Sequence, residues 1–145
     1  MEITRHTKLD IALEHLNLAL SLYLERSNYF SVITLAGVAD EILGKHVRLQ
    51  SLKDAQTELA EEVQLVHKVL YNELPELKKM KNVVNYHKNS VKHMDSGDDA
   101  HVIINAKGEA RTMLERAVKN YEKLGLPVNP KVERFWNVLA GREQA

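Results

Sequence analysis

An all-α, up-down bundle of about five to six helices is the fold the sequence predicts, and three observations carry it. Ala, Leu, Glu, Lys and Arg, all strong helix formers, occupy 66 of 145 positions. Apolar residues recur every three or four positions over long stretches, the signature of a helix with one buried face. Gly (6) and Pro (3) are too scarce to supply the turns of a meander or sandwich of short strands, which excludes all-β architecture. The length fits a single domain, 1–145, with a bundle core at about 8–124 and a short C-terminal helix at about 131–140.

The first helix follows from Leu9, Leu13, Leu16, Leu20 and Leu24, which form one stripe between Lys8 and Arg26. Thr7 is placed to cap it, and Ser27-Asn28 breaks the pattern. From Tyr29 to about Leu49 apolar residues cover nearly the whole circumference, so this second helix is expected at the centre of the bundle. Its small residues Ala36, Gly37 and Ala39 mark a point of close crossing. Ser51 is read as the cap of a third helix bearing Leu52, Ala55, Leu59, Val63, Val66 and Leu70, with acids gathered in its first half as the helix dipole favours.

Pro75 sits at the entry to a fourth helix, where a missing amide hydrogen costs nothing, and its apolar stripe runs through Met80 and Val91 to Met94. Asp95-Ser96-Gly97-Asp98-Asp99 offers a stop followed by caps for a fifth helix. Its face reads Val102 or Ile103, Ala106, Ala110, Met113 or Leu114, Ala117 and Tyr121, ending at Gly125. Val132, Phe135, Trp136 and Leu139 define the short sixth helix.

Composition also narrows the function classes. The absence of cysteine excludes disulfides, thiolate metal sites and a cysteine nucleophile, and points to the cytoplasm. The longest uncharged run, Ser27 to Ala39, is too short to span a bilayer, so no membrane association is expected. Twenty basic and twenty acidic side chains cancel, so attraction to nucleic acid must arise from local asymmetry. No Gly-rich phosphate loop, nucleophile elbow or i, i+4 histidine pair is present, and neither a metal nor another cofactor is expected.

The asymmetry lies in Lys78 to His93, with five lysines, two histidines and no acid. One reading is a solvated helix face; the other is a site for a phosphate backbone contacted by Lys81, His87 and Lys92. Asn89 and His93 share a helical face, whereas Lys88 lies about 140° from His93 around an ideal helix. Lys88 therefore needs its long stem, and the group works best if the helix ends near His93 or if a second subunit completes the site across an interface. A histidine can deprotonate a ribose 2′-hydroxyl while a fixed cation stabilises the charge developing on phosphate. The structural alternative for His93 is a contact with carbonyls at the helix C-terminus.

The order of elements, the central run Leu35-Ala36-Gly37-Val38-Ala39-Asp40-Glu41-Ile42-Leu43-Gly44, and Lys88-Asn89-Ser90-Val91-Lys92-His93 together resemble the HEPN superfamily (higher eukaryotes and prokaryotes nucleotide-binding domain) over about Lys8 to Leu124. The family motif of Arg, a polar residue, variable positions and His falls here on Lys88, Asn89 and His93. The resemblance implies a homodimer with two motifs facing one cleft, no cofactor, and either metal-independent endoribonuclease activity or a noncatalytic module that binds RNA, a nucleotide or an antitoxin-like protein. It also implies an accessory acid on the second helix, at Glu41 or Asp40. Lysine in the arginine's place keeps the charge but loses the planar fork that grips phosphate, which favours the noncatalytic form. A purely structural or regulatory dimer, using the Tyr29-Phe30 end or the Phe135-Trp136 tail, is the remaining expectation.

Overall fold

The computed structural model describes residues 3–144, and among these the secondary structure is six α-helices and one short 3-10 turn, with no strand. The helices are α1 (Lys8–Glu25), α2 (Tyr29–Leu49), α3 (Ala55–Tyr71), α4 (Leu77–Ser90), α5 (Ala106–Lys123) and α6 (Pro130–Leu139). The all-α bundle expected from the sequence is the fold observed. None of the helices is long and apolar enough to cross a membrane.

The core forms where α2 is sandwiched between α1 and α5, with α6 closing one end against α1. The leucine stripe of α1 buries Leu16, Leu20 and Leu24, and α2 meets it with Val32, Ile33, Ala36, Ala39 and Leu43. Met113, Leu114, Ala117 and Val118 of α5 fill the other side, and Phe135 of α6 is fully enclosed. Thr7 caps α1 as expected, its hydroxyl accepting from the Asp10 amide at 3.0 Å.

The α3 and α4 helices pack chiefly on one another as a hairpin. Only Ala55, Ala60, Met80 and Lys88 of this pair are buried. Leu65, Val66, Val69, Leu70, Val83 and Tyr86 are exposed, Val69 to 84 %.

Three helix boundaries differ from the sequence reading. Ser51 does not cap α3; it sits at φ 60° in the preceding turn, and Asp54 is the cap, accepting from the Thr57 amide at 3.0 Å. Helix α4 stops at Ser90, not Met94. Helix α5 starts at Ala106, capped by Asn105, so Val102 and Ile103 lie outside it in the linking segment, Ile103 being 96 % exposed. At the starts of α3 and α5 the sequence offered more than one side chain able to cap, and packing chose the later one.

Candidate functional site

The inner face of α4 is set by Lys88, which is only 4 % exposed. Its stem crosses α2 at Gly37, where a Cβ would stand 2.9 Å from Lys88 Cδ and 3.1 Å from Cγ. Of the small residues of α2, Gly37 thus makes room for a lysine stem from α4. The ammonium reaches past Gly37 and donates to Glu41 Oε1, one helical turn further along α2. Lys92 approaches the same carboxylate oxygen at 4.0 Å.

Beside this pair lies a buried polar network. Asp40 accepts from Arg116 Nη2 at 2.5 Å and from Asn120 Nδ2 at 3.0 Å. Arg116 also donates to Asn85 Oδ1 at 3.0 Å and to the Val84 carbonyl at 3.2 Å, tying α5 to α4. Asn120 Oδ1 accepts from the Ala55 amide at 2.8 Å, tying α5 to the start of α3. Asp54 completes the series by accepting from Arg48 at the end of α2. Two charges with so little contact with water persist because each is paired and further hydrogen-bonded.

Burial pushes the Asp40 carboxyl up, more than the Arg116 guanidinium and the Lys88 ammonium pull it down. Glu41 and Asp54 move the other way. Burial raises Glu41, but the hydrogen bond and charge of Lys88, with Lys92 and Arg116 behind them, outweigh it and hold the group below its ordinary value of 4.5. Burial raises Asp54 too, and its bonds from Thr57 and Arg48 outweigh that effect.

A carboxylate held low in the folded state stabilises the fold above its unfolded pKa, and that stability is lost as pH falls through the folded value. Wild type should therefore exceed Glu41→Gln in stability most at pH 7, and the gap should close as pH drops below about 4.5. Urea titrations of both proteins between pH 7 and pH 3 measure this; a gap independent of pH would rule out the ionised Glu41–Lys88 pair.

His93 lies beyond the end of α4, where its amide and that of Lys92 both donate to the Asn89 carbonyl, at 3.2 and 3.1 Å. Its ring lines an open hollow of about 580 Å3 with Asn82, Tyr86, Asn89, Asp95 and Asp99. Lys88 is not among the residues lining it. Of the groups named from sequence, Asn89 and His93 come together, and Lys88, Lys92 and Glu41 come together, but the two sets have different surroundings. Around His93 the charged neighbours in the hollow are carboxylates, which repel phosphate rather than hold it.

His87 turns towards α5, its Nε2 at 3.8 Å from Glu109 Oε1 and its Nδ1 buried without a hydrogen-bond partner. Lys81 is half-buried and makes no ion pair among the described residues. Asp40 is committed to Arg116, and Glu41 takes Lys88 as its partner in place of Lys45 on its own helix. No cluster of three or more His, Asp or Glu among the described residues has the arrangement to hold a metal ion.

The network also contains residues the sequence reading passed over: Asn85, Arg116 and Asn120. A signal for two of them was present, because Arg116 and Asn120 interrupt the face of α5 that carries Met113, Ala117 and Tyr121. A charge on an apolar face requires a counter-charge across the interface, and Asp40 on the nearly all-apolar α2 supplies it. Comparison with protein-family models, with curated proteins and with solved structures found no match to this chain.

Proposed function

We propose that the chain is a noncatalytic binding module that works as a homodimer, paired through the outer face of the α3–α4 hairpin. The observation that carries this reading is the run of exposed apolar side chains on that hairpin: Leu65, Val66, Val69 and Leu70 on α3, with Val83 and Tyr86 on α4. Leu65 and Val69, and likewise Val66 and Leu70, are one helical turn apart, so they make a continuous surface of the kind that marks interaction sites. A two-fold pairing would set this surface against itself. It agrees with the dimer implied by the HEPN resemblance. An antitoxin-like protein on the same face is the competing occupant. Sedimentation equilibrium of the full chain, compared with Val69→Glu, tests the reading.

The noncatalytic part rests on Lys88. A cation with 4 % exposure and a carboxylate of its own has no free charge to offer a scissile phosphate, and reaching one would leave Glu41 unpaired. In EDTA, wild type and His93→Ala are expected to leave a mixed RNA pool equally intact. Cleavage by wild type that His93→Ala loses, with 2′,3′-cyclic phosphate ends, would replace this reading with a metal-independent endoribonuclease.

A second reading, capture of an unpaired RNA base in the His93 hollow with its phosphates kept away from Asp95 and Asp99, is favoured by the amides of Asn82 and Asn89 standing beside the exposed Tyr86 ring. Amides read base edges and aromatic rings stack on bases, so Tyr86→Ala should weaken binding of a single-stranded RNA if the hollow takes one.

A further inference from the structure

At the opposite end of the bundle, the close of α5, the loop 124–129 and α6 border an open hollow of about 520 Å3. Its walls combine Tyr121, Val128, Val132 and Trp136 with two carboxylates, Glu122 and Glu133. The Trp136 indole donates to Glu122 at 2.8 Å, fixing the carboxylate against the ring.

The cations directly flanking these acids in sequence are engaged elsewhere. Lys123 donates to Glu58 and to the Lys53 carbonyl, Lys131 to Ser21, and Arg134 faces Glu25 and Glu143. Neither Glu122 nor Glu133 has an ion-pair partner among the described residues. Two uncompensated carboxylates beside an indole, in a chain of zero net charge, form a place that a cation on an apolar stem would complete.

We infer that this hollow binds an arginine or lysine side chain of a partner polypeptide, the cation between Glu122 and Glu133 and its stem against Trp136. A polypeptide suits the site better than a free amine because Val128, 89 % exposed, forms an apolar rim that a lone cation would leave in water. Neighbouring side chains of an extended segment would cover it. This site is independent of the hairpin face and of His93.

Trp136 is the single tryptophan, so its emission reports this hollow directly. The full chain would be titrated with Ac-Leu-Arg-Leu-NH2, with the same peptide bearing neutral citrulline, and with tetraethylammonium. The expected result is a saturable change with the arginine peptide, at least tenfold weaker binding of the citrulline peptide, and a loss of about threefold for each of Glu122→Gln and Glu133→Gln. Glutamine at 122 still accepts from the indole and Glu133 is exposed, so both variants should melt like wild type. Equal binding of the two peptides, no saturable change, or affinities untouched by both glutamine variants would overturn the inference. Tighter binding of tetraethylammonium than of the arginine peptide would overturn its assignment to a polypeptide.

Discussion

Arg116→Ala should cost about 3–5 kcal/mol of stability, because removing one member of a buried ion pair leaves the other charge uncompensated. For a chain of this size that is a fall of roughly 10–20 °C in Tm. Asp40 would keep only the Asn120 amide as a direct partner, and Val84 and Asn85 on α4 would lose their donor. Exchanging both partners for apolar residues, Arg116→Met with Asp40→Leu, should cost clearly less than the two single changes added together. Thermal and urea unfolding of the two single variants and the double variant measure the coupling. Strict additivity would show that the pair does not act as a unit.

Val69→Glu combined with Leu70→Glu should weaken self-association by at least about a thousandfold. Each protomer of a two-fold pair contributes the same patch, so every substitution counts twice. Losing the burial of one such side chain forfeits about 1.5–3 kcal/mol, and placing charge at a desolvated surface adds to that. Both residues are exposed in the single chain, Val69 to 84 % and Leu70 to 67 %, so the isolated fold should keep its helices. Circular dichroism alongside sedimentation separates lost pairing from lost structure. An unchanged mass at equal concentration would remove this face as the interface.

Much of the fold was legible because burial leaves a periodic trace. The α1 leucines and the all-round apolar surface of α2 are read directly as a stripe and a centre, and Leu16, Leu20, Ile33 and Leu43 are indeed enclosed. Helix ends were harder. Asp54 and Ser51 are both competent caps, and only the docking of the Ala55 amide on Asn120 of α5, 65 positions away, decides between them. Val102 and Ile103 have the right spacing for α5 but belong to its entry segment, where Asn105 supplies the cap.

At the candidate site, Lys88 is read from the sequence as the motif cation that reaches towards His93 on its long stem. Its burial depends on Gly37 of α2 lying opposite, a contact between segments that no local pattern contains. The same holds for Arg116. Its charge was visible in the sequence, and its partner Asp40 was visible too, but the pairing needs the α2–α5 crossing to be known. Glu41 was singled out as an accessory acid, and its contact with Lys88 is what removes that lysine from the surroundings of His93.

The most direct measurement is sedimentation equilibrium of the unmodified chain over a hundredfold concentration range, beside the Val69→Glu, Leu70→Glu variant. The proposed reading gives a concentration-dependent approach of wild type to twice the chain mass of 16.6 kDa, and a variant that stays at the single-chain mass throughout. Wild type at single-chain mass across the whole range would contradict the homodimer. Dimers formed equally well by wild type and variant would place the pairing somewhere other than the α3–α4 face.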